Sequence, residues 1–279
     1  MLRRCILPVR GFSVKIAAIE QRSAFRLSTD DGGHIGIEIG ADIAASLDLD
    51  DFMVFDNDKE AAKDFFQQLF FKHVRSVLEE SGSGEMPGSP AELVRTGFTQ
   101  RSAFDEFVRA AEGVPRDAIN ILSIAAQRSG ENPISVPDIR IAAKLWYQRG
   151  KEQAVGSRPE ARDFLRWIID EVIGDRKAKA FMLRSGLRHD LIDYLFDARI
   201  LHIIKHSVSG HDEPGVRYDV YAIDYGCYVD LINTQKAPLG LFEVEEGGTA
   251  HFTDVPGNDY RSIRRAILHL DKFEQRHEA

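Results

Sequence analysis

The chain has 279 residues, 43% of them hydrophobic and 29% charged, with a formal net charge of -8. With a mean hydropathy of -0.26, that balance excludes a disordered or fibrous chain, and no apolar run approaches the roughly 20 residues that a bilayer span needs. At roughly 100 to 200 residues per domain the length predicts two or three units. Cys5 and Cys227 are the only cysteines, so a disulfide framework and a CxxC-type zinc site are both excluded. The opening Met1-Leu-Arg-Arg-Cys-Ile-Leu-Pro8 has an apolar stretch too short for a signal peptide, which points to the cytoplasm. Each of the segments 1–75, 76–156, 157–236 and 237–279 is net acidic, so a nucleic-acid face must be a local patch.

In chain order, the β-rich run Phe12-Ser-Val-Lys-Ile-Ala-Ala-Ile19 reads as a buried strand over 14–19. A Gly-rich hairpin around Asp30-Asp-Gly-Gly33 leads to alternating apolar residues over 35–39, a second strand. The spacing of Ala62, Phe65, Phe66, Leu69, Phe70 and His73 predicts a helix over 58–78. Together, 1–78 reads as the end of an α/β domain. The cluster Ser81-Gly-Ser-Gly-Glu-Met-Pro-Gly-Ser-Pro90 marks a linker over 79–100.

From 101 to 156 the pattern is helical. Ser102 with Asp105 opens a helix over 103–112 that Gly113 stops, and Pro115 starts another to 129 with Ile119, Leu122 and Ala126 facing inward. Ser135, Pro137 and Asp138 open a third, whose stripe is Ile139, Ala142, Ala143 and Trp146. Over 157–236 the order is a helix at 160–174, a strand at 178–183, a helix at 187–198, and a hairpin of strands 200–208 and 216–223. Residues 237–279 supply an acidic loop (Glu243, Glu245, Glu246) and a helix over 260–273.

The phosphate-binding pattern GxxxxGK[ST] does not occur; Gly150-Lys151 is followed by Glu152. Phe52-Met-Val-Phe-Asp56 mimics a magnesium-holding strand, but reads better as a core segment ended by the cap Asp56-Asn57-Asp58. In Glu112-Gly-Val-Pro-Arg116, a glycine ends one helix, a proline begins the next, and Arg116 falls in its first turn. An always-charged planar fork there suits a phosphate, or a surface ion pair.

This element resembles the sensor-2 region of AAA+ ATPases, and the order of segments is similar to the C-terminal half of origin-recognition-type or STAND-type members. The resemblance implies mixed α and β structure: the end of a P-loop NTPase domain, a three-helix lid bundle and a winged-helix-like α+β domain. It also implies that the strand at 14–19 carries sensor 1, with Glu20, Gln21 or, best of the three, Arg22 facing a γ-phosphate, and that Arg116 senses the same nucleotide. ATP and magnesium are then expected only in a protein that also has Walker segments. For this chain alone no cofactor, no metal and no autonomous ATPase activity are expected, and Met1 is expected to be an internal methionine of a longer protein or the start of a truncated derivative.

In the winged-helix-like segment Arg176, Lys177, Lys179, Arg184 and Arg188 form a local basic patch, which Arg199, Lys205 and Arg217 extend. It suits DNA phosphates, although Asp190, Asp193 and Asp197 on the adjoining helix oppose them, which favours a protein partner or a homo-oligomer. His202, His206 and His211 do not read as a metal site, because i and i+4 on a strand are more than ~13 Å apart. Asp224-Tyr225-Gly226 with Asp230 reads as a turn after the wing, and no hydrolase motif is present. The alternatives to an incomplete AAA+-like protein are a non-enzymatic winged-helix DNA-binding regulator and a structural protein-interaction module.

Overall fold

The computed structural model describes residues 9, 11–19, 23, 26–29, 33–38, 42, 45–82, 84, 87–176, 178–209, 215–231, 243–244, 250–251 and 267–277. The fold is mixed α and β, divided into a unit Met1–Leu49 and a unit Asp50–Ala279.

In the first unit, β1 (Arg26–Ser28) pairs antiparallel with β2 (His34–Gly36), Leu27 opposite Ile35. The run at 12–19 has no regular secondary structure, contrary to the strand expected there. Its apolar side chains are exposed, Phe12 by 74% and Ile19 by 63%. An apolar β-run is stable only when paired on its edges and covered on its faces, and among the described residues no strand pairs with this one. Glu20, Gln21 and Arg22 lie outside the described residues.

The second unit begins with a short helix α1 (Asp50–Met53), followed by α2 (Lys59–Ser81). Val54 and Phe55 are buried, and the cap is Asp58, whose carboxylate accepts the Ala61 N–H at 2.9 Å. Phe66 and Phe70 of α2 pack on Phe107 of α4 (Arg101–Ala110), with ring centroids 6.2 and 5.3 Å apart. Phe98 and Phe104 extend this edge-to-face cluster, the favoured aromatic geometry. Helix α2 therefore belongs with the helices that follow it, because its aromatic face is buried against them.

The expected linker holds a further helix, α3 (Pro90–Gly97). Ser89 accepts the Glu92 N–H at 3.1 Å, Glu92 accepts the Gly88 N–H at 2.7 Å, and Pro90 occupies the first turn. These contacts satisfy amide groups that the start of a helix otherwise leaves open.

Helix α4 begins at Arg101, with Gln100 as its cap and no capping hydrogen bond, so Ser102 does not play the role expected of it. Helices α5 (Pro115–Ser129) and α6 (Val136–Trp146) start where Pro115 and the Ser135–Asp138 capping box place them. The inward face of α5 differs from expectation: Asp117, Ala118, Ile121 and Ala125 are buried, while Ile119 is exposed. After Trp146 the chain widens into a π-helical turn, Tyr147–Glu152, then α7 (Gln153–Gly156). Helix α8 (Pro159–Ile168) ends in a second π-helical stretch, Ile169–Asp175.

Strand β3 (Ala180–Arg184), helix α9 (Asp190–Asp197) and strands β4 (Leu201–Ser209) and β5 (Arg217–Ile223) follow, and the antiparallel sheet has the order β3-β5-β4. One face, with Phe181, Leu183, Leu201, Ile203, Tyr221 and Ile223, packs on the helices. The other carries Ala180, Met182, Ile204, Val220 and Ala222, and Val54 covers it. The outer edge of β3 is met by Leu268, whose N–H bonds to the Met182 carbonyl at 3.0 Å, which closes an edge otherwise open to pairing. Beyond β5 come a one-turn helix α10 (Tyr225–Tyr228), the short pair β6 (Glu243–Val244) and β7 (Ala250–His251), and α11 (Asp271–His277). Of the helix expected over 260–273, residues 260–266 lie outside the described residues. Phe273 of α11 packs on Phe164 and Trp167.

Candidate functional site

Charged side chains from six elements converge where the helical bundle meets the sheet. The π-helical turn supplies the central one. On an α-helical spacing Ile139, Ala143 and Trp146 would be followed inward by Gly150; the wider turn delays the pattern by one residue. Lys151 is inward instead, only 2% exposed.

The Lys151 ammonium lies 2.7 Å from Asp117 of α5 and also bonds to Asp224, the residue after β5. Asp117 in turn pairs with Arg199 at 2.6 Å. His202 Nε2 stands 3.5 Å from Asp224. Burial pushes the Asp224 carboxyl up, but Lys151 and then His202 outweigh it and hold the group below its usual range. Burial lowers Lys151, while Asp224 and Asp117 raise it, and the sum keeps it charged. A lysine so engaged is neither a nucleophile nor a base; it joins two elements.

The segment after β5, expected as a turn, is instead the one-turn helix α10 capped by Asp224, and it is also the principal joint. Asp224 accepts the Gly226 N–H at 3.0 Å. Tyr225 donates to Glu106 of α4 at 2.5 Å, and Glu106 also accepts from Arg140 at 2.7 Å. A Cβ on Gly226 would collide with that of Tyr147, so only glycine lets the turn seat against the π-helical segment.

A second ion pair, Asp56 with Lys179, ties the 50–58 segment to the sheet. Burial opposes ionisation of Asp56, but Lys179 and then Arg109 hold its carboxyl low. Arg109 stacks over Phe55, 4.8 Å from the ring centroid. Glu112, two residues past the end of α4, has a left-handed backbone (φ 47) and is 8% exposed. Gly113 beside it also has positive φ, and a Cβ there would stand 2.9 Å from Val54 Cγ2. Burial above all, then Asp56 and Asp224, pushes the Glu112 carboxyl up to about 8.

Arg116 sits on the outer side of this joint. It is exposed in the first turn of α5, its carbonyl accepts from the Asn120 amide at 2.8 Å, and among the described residues no carboxylate pairs with it.

The expected basic patch divides. Arg176 binds Glu171 and the Ile267 carbonyl, Lys179 binds Asp56, and Arg199 turns inward to Asp117, so these three serve internal contacts. Lys177 lies outside the described residues. Arg184, Arg188, Lys205 and Arg217 are exposed around the far part of the sheet, where Arg188 stands 3.9 Å from Asp193. His206 pairs with Asp219 rather than with His202, and His211 lies outside the described residues.

The sequence separates the residues of the joint by up to 168 positions, from Asp56 to Asp224. Their signal was indirect: Asp117 next to Arg116, and Gly226 after Asp224. Comparison of the chain with protein-family models, curated proteins and solved structures finds no match to any of them. Among the described residues, no helix is long and apolar enough to cross a membrane.

Proposed function

We propose that this chain is an AAA+-like sensing and output module without a phosphate loop of its own: a helical lid that presents Arg116 to an anion, joined to a winged-helix-like unit that engages a partner. The observation that carries the reading is the split between neighbours in the first turn of α5. Arg116 is exposed without a carboxylate partner among the described residues, while Asp117 is buried and bound to Lys151 and Arg199. A guanidinium beside the open amide groups of a helix start suits phosphate oxygens. The order helix, strand, helix, hairpin, with sheet order β3-β5-β4, supports the winged-helix part of the reading.

The test is a titration with inorganic triphosphate at low salt, followed by amide NMR. Weak binding is expected, with shifts centred on residues 115–120 and abolished by Arg116→Ala. Equal shifts in both proteins would overturn the role of Arg116. Micromolar binding of Mg-ATP by calorimetry would overturn the claim that the chain lacks a complete nucleotide site.

Exposure of Arg184, Arg188, Lys205 and Arg217 favours a second reading, a regulator that binds duplex phosphates. The acidic residues Asp190, Asp193 and Asp197 on α9 weigh toward a protein partner instead. Duplex binding that weakens steeply with salt and is lost on charge reversal at Arg184 and Arg217 would favour DNA.

A further inference from the structure

The outer edge of β3 and the aromatic side chains beside it are covered by a late stretch of the same chain, residues 267–277, which includes α11. Ile267 bridges Met182 in parallel, the Leu268 N–H bonds to the Met182 carbonyl at 3.0 Å, and Arg176, itself held by Glu171, donates to the Ile267 carbonyl at 2.9 Å. Phe273 then lies edge-on to Phe164, with ring centroids 4.8 Å apart, and its ring centroid is 5.5 Å from that of Trp167. Among the described side chains of this stretch, Leu268, Leu270 and Phe273 are buried.

Two features make the cover separable from what it covers. It joins the sheet by a parallel bridge, whereas β3, β5 and β4 pair antiparallel, and parallel pairing is the less stable per residue. Residues 232–266 separate it in sequence from Leu231, and the cost of closing so long a connection changes slowly with its length, so the stretch can leave without dragging β5 with it. What lies beneath is a strand edge, a guanidinium that receives a carbonyl, and two rings that receive a third. An open edge accepts any extended segment through its backbone, and the pockets beside it choose among side chains.

We propose that residues 267–277 are a removable strap, and that the surface under it, the β3 edge with Arg176, Phe164 and Trp167, docks an extended apolar segment of a protein partner that carries an aromatic residue shortly after it. The strap keeps the site closed until such a segment displaces it. The inference rests on the reading that the winged-helix-like unit engages a protein partner, and it is independent of what Arg116 binds.

The probe is a fluorescein-labelled synthetic peptide of residues 266–279, and the receiving protein is the full chain. In Phe273→Ala the strap loses its ring while Arg176, Phe164, Trp167 and the β3 edge are unchanged. This variant is expected to bind the peptide at least about tenfold more tightly than the unmutated chain, whose tethered strap competes at an effective concentration on the order of millimolar. A peptide that itself carries Phe273→Ala should bind neither protein. Equal binding to both proteins, or none to the variant, overturns the proposal and leaves a partner to be sought on the exposed surface around Arg184 and Arg217. Hydrogen exchange on the unmutated chain covers a variant that does not fold: the Leu268 and Phe273 amides should exchange well before those of Val220–Ala222 in β5. Exchange of both sets together would make the strap part of the core and overturn the proposal. A dimer of the unmutated chain that Phe273→Ala abolishes in sedimentation would overturn it too, by assigning the site to a second copy.

Discussion

The joint around Lys151 and the far part of the sheet around Arg184 and Arg217 use the same residue types to opposite ends. At the joint, Lys151 faces Asp117 and Asp224 from distant parts of the chain, and all three are buried. On the sheet, the cations stand in solvent, where pairing contributes little and contacts exchange readily. The difference separates residues that fix the geometry of this protein from residues that can meet something outside it. A basic patch read from sequence mixes the two kinds, as Arg176, Lys179 and Arg199 demonstrate.

The largest effect should come from the centre of the joint. Lys151→Met leaves Asp117 and Asp224 buried without their shared cation, and a loss of about 3–5 kcal/mol in urea unfolding is expected. Combining it with Asp224→Asn should regain part of that loss, since one uncompensated charge is removed as well. If Lys151→Met is nearly neutral, the joint is wet and the contrast with the surface collapses.

The next effect depends on pH. Because the folded pKa of Glu112 is raised, its stabilising contribution is fully present below about 4.5 and lost as pH rises through about 8. Global stability should then fall by up to about 1.4 kcal/mol per pH unit across that window. Glu112→Gln should flatten the profile and leave the protein more stable than the unmutated chain at pH 8. An unchanged slope in denaturant melts across that range would assign it to another group.

A smaller loss is expected from Gly226→Ala, which forces the turn after β5 away from Tyr147. Overpacking of this kind costs about 1–3 kcal/mol, and a thermal melt equal to that of the unmutated protein would mean the turn shifts freely. At the surface, replacing Arg184, Arg188 and Arg217 by alanine should move stability by no more than about 0.5 kcal/mol each. The same changes should lower the salt dependence of duplex binding, by about one in the log–log slope for each phosphate that is no longer neutralised. A large fall in stability would place these residues with the joint.

What the sequence made legible was local. Pro115 and the Ser135–Asp138 box fixed the starts of two helices, and the apolar runs at 200–208 and 216–223 fixed the hairpin to within a residue at each strand. Helix α3 was equally local, but its Ser89-Pro-Ala-Glu92 signature was masked by the glycines before it. The inward face of α5 was missed because a carboxylate occupies it, so a search for apolar spacing turned the helix the wrong way. The strand expected at 14–19 needs neighbours that the described residues do not provide. The joint itself was illegible for a related reason: buried charges acquire meaning only from partners across the fold.

The π-helical turn at Tyr147–Glu152 has a genetic consequence. Such a turn holds one residue more than the α-helix it interrupts. Deleting a single codon between Tyr147 and Gly150 would return the turn to α-helical spacing and bring Lys151 to the fourth place after Trp146, which that spacing also turns inward. The same deletion in the regular helix ahead of Trp146 has no surplus residue to absorb it and would turn Lys151 by about 100° around the axis, so the attachment tolerates a lost codon on one side of Trp146 and not on the other.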